Sequence, residues 1–303
     1  MLTEKDPETG KRFQVCAISF FDGILPHHRD LLTHCTRLSE GDKENVLVVV
    51  CVEKMQTAPG DDKRILLTPG ERTGIIRDMG YTTVVCRQEN QSEKLPYVIE
   101  TLVPGADIWK YEDEMPFFKK NEPKSVNDFF RGRDTAGREK LAGMIEKGMV
   151  TEAAGFAGYA FPLEGTVVTG NRIGRALGYP TANLRISDPA KVLPGQGVYT
   201  AMVKISGEWH KSMVNVGIRP TLDLENVTVE AHIFDFDRDI YGESISISFL
   251  SRIRDEMRFN SLSELKIQLN KDREAAVRML EDVQAGITAG EYIRLEQGTK
   301  NDF

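Results

Sequence analysis

The sequence has few cysteines, no long apolar run and no excess of basic residues, and each shortage closes off a class of protein. Its cysteines, Cys16, Cys35, Cys51 and Cys86, all lie in the first third without Cys-x-x-Cys spacing. Neither a disulfide framework nor a zinc site is expected from them, and free, buried thiols are. No segment stays apolar over the length of a bilayer span, and Met1 to Arg12 is polar and charged. A cytoplasmic protein with no membrane partner is therefore expected. Acidic residues outnumber basic ones by 46 to 39, for a net charge of -7. That balance argues against a nucleic-acid partner held by bulk electrostatics. It does not exclude a nucleoside triphosphate, for which a local cluster of amides and a metal ion suffices. Internal repeats and low-complexity tracts are also lacking, and oligomeric state is left open.

What is there reads as two domains, since 303 residues exceed one ordinary core. The first alternates strand-like and helix-like segments: strands at Phe13 to Phe21, Val46 to Val52 and Tyr81 to Cys86, with helices at Pro26 to Leu38 and from Thr68-Pro69-Gly70 to Met79. That order, βαβαβ with uninterrupted apolar strands, predicts a parallel sheet with crossover helices. A polar, irregular stretch follows from Met115 to Thr135, then a helix-like stretch from Gly137 to Ala154 and a hinge near Gly155 to Leu163. The boundary expected is 1–160 and 161–303. Past it, strands are closely spaced by turn residues, which predicts an antiparallel barrel or sandwich. In Glu243 to Leu250, Ile245, Ile247 and Phe249 alternate with serines, one face core and the other wet. Leu262, Leu265, Leu269, Ala276 and Leu280 recur at helical spacing after Ser261, predicting an amphipathic helix that covers a six-stranded barrel.

The second domain carries the chemistry. Between Gly165 and Asn183 a strand runs into a loop with Gly170, Gly174 and Gly178, where backbone amides can approach phosphate oxygens while Arg172 and Arg175 supply charge. A simple hairpin is the alternative. Pro180-Thr181-Ala182-Asn183 follows at once; its hydroxyl and amide oxygens, two residues apart, suit Mg²⁺ as the hard cation shared with phosphates, or else bond their own backbone as a turn. On the strand Val227 to Ile233 the odd positions are apolar and face the core, leaving Glu230 and His232 on the other face. Glu230 there is either a base for an alcohol attacking a phosphoryl group or a solvated carboxylate, and His232 reads as structural.

Taken with Leu193-Pro194, Gly197-Val198-Tyr199, Val214-Asn215-Val216-Gly217, Pro220-Thr221, Glu230-Ala231-His232-Ile233, Asp239-Ile240-Tyr241-Gly242-Glu243, Arg254-Asp255-Glu256 and Phe259, this order of blocks resembles the riboflavin kinase family over about Gly165 to Leu280. The resemblance implies ATP and riboflavin as substrates, FMN as product and Mg²⁺ as cofactor. It further implies that Thr181 and Asn183 hold the metal and phosphate oxygens, that the loop Gly170 to Gly178 covers the nucleotide, that Asn215 lies in the pocket and that Glu230 is the base.

The first domain resembles the FMN adenylyltransferase domain that precedes this kinase in bacterial FAD synthetases, which implies a Rossmann-like nucleotidyltransferase fold ahead of the six-stranded antiparallel β-barrel and its C-terminal helix. Phe21-Asp22-Gly23 and Leu66-Leu67-Thr68 fit that family. Its His-x-Gly-His does not: the chain has Leu25-Pro26-His27-His28, so only His28 occupies a histidine position. The family's Ser-Ser-Thr-x-x-Arg is also missing between Asp134 and Ala142, where Arg138 is the one arginine. Loss of groups aimed at the leaving phosphates predicts an adenylyltransferase that is absent or weak. The alternatives are a bifunctional enzyme in which His27 and Arg138 stand in, and a non-catalytic flavin or nucleotide sensor.

Overall fold

The computed structural model describes residues 13–52, 64–87, 107–110, 119–120, 135–170, 173–186, 188–220 and 225–281. Arg172, the tail 298–303 and most of the polar stretch from Met115 to Thr135 lie outside them. The chain divides into two units, Met1–Lys140 and Leu141–Phe303, a division that falls before the expected boundary at 160/161.

In the first unit, strands β1 (Val15–Ser19), β2 (Val46–Val52), β3 (Thr82–Arg87), β4 (Asp107–Lys110) and β5 (Lys119–Lys120) form one sheet in the order β3-β2-β1-β4-β5. All pairs are parallel except β4 with β5. β2 is apolar on both faces because both are covered, and Val46 through Cys51 are fully buried. Helices α1 (Pro26–Leu38) and α2 (Pro69–Asp78) are the crossovers. α2 starts where the sequence says it must: Thr68 Oγ1 accepts the Glu71 N–H at 3.2 Å, Glu71 Oε2 accepts the Thr68 N–H at 2.7 Å, and Pro69 takes the first helical position. All four cysteines are free and buried. Desolvation pushes the Cys35 thiol up to about 12 and raises Cys16 and Cys51 as well, which leaves these thiols unreactive.

The single helix expected over Gly137 to Ala154 is two, α3 (Thr135–Glu146) and α4 (Val150–Ala157). Gly148, at φ +74, ends the first by donating its N–H to the Ile145 carbonyl, a conformation that costs other residues strain.

The second unit is a closed barrel of β6 (Phe161–Val168), β7 (Ala182–Arg185), β8 (Gly197–Ile205), β9 (Glu208–Pro220), β10 (Glu225–Ile233) and β11 (Ser244–Arg254), ordered β10-β7-β6-β11-β8-β9. Closure removes every free sheet edge. Phe161, Tyr199, Val214, Ile247 and Phe249 fill the interior. The β8–β9 hairpin turns on Ser206 and Gly207, both at positive φ as a two-residue loop requires. A short helix, α5 (Ile173–Ala176), interrupts the glycine-rich loop, and α6 (Leu262–Met279) packs outside, capped by Ser261 Oγ accepting the Glu264 N–H at 3.2 Å.

Three details differ from expectation. Ser248 is buried rather than wet, on the same face as Leu250, whose carbonyl accepts from Thr151 of α4 and whose side chain packs in an outer layer with Ala276 and Leu280. Val227 and Leu262 are exposed, because each lies near the free end of its element, beyond the reach of the core.

Candidate functional site

Barrel register brings the polar residues of three neighbouring strands together. Glu230 on β10 is paired with Asn183 on β7 and with Asn215 on β9. Directly paired residues point to the same face, so the three side chains form a polar row across the sheet. Thr181, which precedes β7, donates its hydroxyl proton to Glu230 Oε2 at 3.2 Å.

Two cavities meet at Thr181. The larger, about 310 Å³, is lined by Thr181, Asn215, Glu230 and His232 on the polar side and by Met213, Met257, Phe259, Leu265 and Leu269 on the apolar side. The smaller, about 270 Å³, is bordered by Gly170, Arg175, Thr181, Asn183, Phe236 and Arg238. A Cβ on Gly170 would collide with the Asn183 side chain, and one on Gly174 with the Tyr179 carbonyl, so both glycines are set by close approach. Gly178 has φ +87 and turns the chain into Tyr179 without lining either cavity. Of the expected site residues, Thr181, Asn183, Asn215, Glu230, Gly170, Gly174 and Arg175 are thus brought to the two cavities.

The wall of the larger cavity contains a clamp that sequence pattern does not mark. Asp272 of α6, 1% exposed, accepts two bonds from Arg254 Nε at 2.9 and 3.1 Å and one from Nη2 at 2.8 Å. Gln268 Nε2 adds a bond at 2.8 Å, and the Arg254 guanidinium lies 5.9 Å from the Phe259 ring centroid. The fork-to-fork geometry ties the end of β11 to α6 and holds the apolar wall beside Glu230. His232, read as structural, also lines this cavity; its Nδ1 lies 2.7 Å from the Pro180 carbonyl oxygen.

The first unit places its signature residues differently. Asp22 Oδ2 is 2.6 Å from Arg138 Nη2, its Oδ1 is 3.3 Å from Arg72 Nη2, and Oδ1 also accepts the Leu67 N–H at 3.0 Å. Arg138 further donates to the Arg64 carbonyl. Leu25 is fully buried. The buried His28 accepts the Leu25 N–H at Nδ1, 3.0 Å, so its proton sits on Nε2, 3.1 Å from Ser19 Oγ. Burial, with help from His27 and Arg72, holds this imidazole well below its ordinary pKa, and it is neutral at pH 7.

Comparison with known proteins bears on the family of the chain. Residues 157–280 match the riboflavin kinase (Flavokinase) family. The bifunctional riboflavin kinase/FMN adenylyltransferase of Listeria monocytogenes is 34% identical over 288 residues, covering 86% of this chain and 90% of that one. The Bacillus subtilis protein of the same name is 25% identical over 89% of this chain and 93% of its own length. The RNA-binding riboflavin kinase RibR of B. subtilis is 42% identical over 39% of this chain and 51% of its own. A solved structure named a macrolide-efflux protein from Streptococcus pneumoniae shares the fold, with TM-score 0.66 and 28% identity over 91% of this chain and 97% of its own. The chain belongs to the family of bifunctional riboflavin kinase/FMN adenylyltransferases, with the riboflavin kinase domain in its second unit.

Proposed function

We propose that the second unit transfers the γ-phosphoryl group of ATP to the 5'-hydroxyl of riboflavin, giving FMN and ADP. The observation that carries this reading is the Thr181–Glu230 bond at the junction of two cavities of unlike chemistry. The larger, with methionine, phenylalanine and leucine opposite a carboxylate, suits an aromatic ring system carrying a polyol chain. The smaller, bordered by the glycine-rich loop and Arg175, suits phosphates. Glu230 accepts the proton of the 5'-hydroxyl as its oxygen bonds to phosphorus, while the bond to the bridging oxygen breaks and ADP departs.

Thr181, Asn183 and Glu230 offer an all-oxygen donor set, and the close packing of Asn183 on Gly170 orients its amide. That chemistry fits Mg²⁺ and no soft metal, with Thr181 and Asn183 as the residues that would hold it. When bound, the ion neutralises the phosphates and aligns them for in-line attack.

The first unit, in this reading, adenylates FMN weakly or not at all. What supports this is that Leu25 has no donor for an oxyanion, His28 has both ring nitrogens engaged, and Arg138 is held by Asp22. A bifunctional enzyme is the second reading, favoured by the names of relatives that span most of the chain. Purified protein given riboflavin, ATP and Mg²⁺ is expected to form FMN and ADP in equal amounts. Riboflavin left unphosphorylated would overturn the kinase reading.

A further inference from the structure

We propose that His232 is a positioning residue for phosphoryl transfer: by holding the Pro180 carbonyl, it sets the Thr181 hydroxyl against Glu230. The inference rests on the kinase reading above. Pairing between β10 and β7 runs from Val229–Leu184 through Glu230–Asn183 to Ala231–Ala182 and ends there. The next residue back, Thr181, follows a proline, which has no N–H to extend the ladder. At that point the side chain of His232 takes over from the backbone, with Nδ1 2.7 Å from the Pro180 carbonyl oxygen. A carbonyl only accepts, so Nδ1 carries the proton, whether the ring is neutral or charged.

Residues 230 and 232 point to the same face of β10. One bonds the hydroxyl of Thr181 and the other the carbonyl immediately before it, so a single strand grips two consecutive residues of the turn. The ring itself is fixed by edge contacts with Tyr179, centroids 5.1 Å apart, and Phe234, 5.6 Å apart. Tyr179 is buried in turn, and its hydroxyl donates to Asn270 of α6. An Oγ that must be aimed at both a carboxylate and a phosphate-bound cation gains from such support, since small displacements of a transfer site cost large factors in rate.

The test uses the full chain with His232→Phe, His232→Gln and His232→Asn, varying ATP–Mg²⁺ and riboflavin independently and recording thermal unfolding and riboflavin binding alongside. Asparagine places an amide N–H where Nδ1 sits; glutamine places it at Nε2. We expect the Phe and Gln variants to lose about tenfold in kcat at saturating riboflavin, with a raised KM for ATP–Mg²⁺. The Asn variant is expected to recover most of the loss. Wild-type kinetics in all three variants, a loss confined to thermal stability, or an Asn variant as impaired as Phe would overturn the inference and leave the kinase reading intact. A wild-type protein that forms no FMN would overturn the kinase reading, and this inference with it.

Discussion

In the first unit Asp22, His28 and Arg138 face one another's neighbours: the carboxylate lies between two guanidiniums, and the imidazole between a backbone N–H and a serine hydroxyl. In the second, Thr181, Asn215 and Glu230 also bond or pair among themselves, yet they do so on the wall of a cavity large enough for a ligand. Both units thus contain polar residues that the sequence motifs single out. The difference is where those residues point. A titratable group whose partners all come from its own core is part of the scaffold; one that shares a wall with apolar side chains and a second carboxylate-bonded donor is placed to meet a substrate.

The sharpest way to break that contrast is to silence the second unit at one atom. Glu230→Gln keeps the shape and removes the base, so FMN formation is expected to fall by about 10²- to 10⁴-fold, with riboflavin binding and the unfolding midpoint unchanged. Initial rates by chromatography and flavin fluorescence read the two quantities separately.

Next in size is the clamp behind the apolar wall. Asp272→Ala leaves Arg254 without its buried partner and is expected to destabilise the barrel by about 3–5 kcal/mol. The sequence has two tryptophans, Trp109 in the first unit and Trp209 in the second. A Trp109→Phe background therefore lets urea unfolding of the barrel be followed by itself.

Thr181→Val tests the bond at the junction of the cavities. A hydrogen bond to an ionised group contributes about 1.5–3 kcal/mol, so kcat/KM is expected to drop roughly 10- to 100-fold while Thr181→Ser stays near wild type.

The smallest effect sharpens the contrast from the other side. His28 is neutral when folded and takes up a proton when unfolded near its ordinary value of 6.5. Stability of the first unit is therefore full above that value and falls as pH drops below it, by at most about 1.4 kcal/mol per pH unit. Urea midpoints followed at Trp109 in a Trp209→Phe background should show this slope between pH 7 and 5. His28→Asn, which keeps an acceptor for the Leu25 N–H, should flatten it.

Much of this was legible in the sequence because periodicity and turn chemistry are local. α1 falls on Pro26–Leu38 and β2 on Val46–Val52 as read, and the change from βαβ spacing to short strands separates sheet from barrel. Thr181, Asn183 and Glu230 were also legible as types suited to phosphoryl transfer. Their meeting point was not, because it depends on the register of β10 against β7 and β9, which no single strand encodes. The break at Gly148 was hidden inside a helical apolar pattern, where a glycine is tolerated until tertiary packing favours its left-handed turn. Asp272 escaped for a related reason: an acidic residue on an amphipathic helix looks solvated until Arg254 arrives from elsewhere in the chain.

The most direct test of the contrast between the units is one preparation given two reactions: riboflavin with ATP and Mg²⁺, and FMN with ATP and Mg²⁺, each followed for FMN, FAD, ADP and pyrophosphate. FMN and ADP are expected in the first, and in the second FAD and pyrophosphate at no more than a small fraction of that rate. FAD and pyrophosphate formed at a rate comparable to that of FMN in the first reaction would contradict this, and would mean that Leu25 and the engaged His28 do not disable adenylyl transfer.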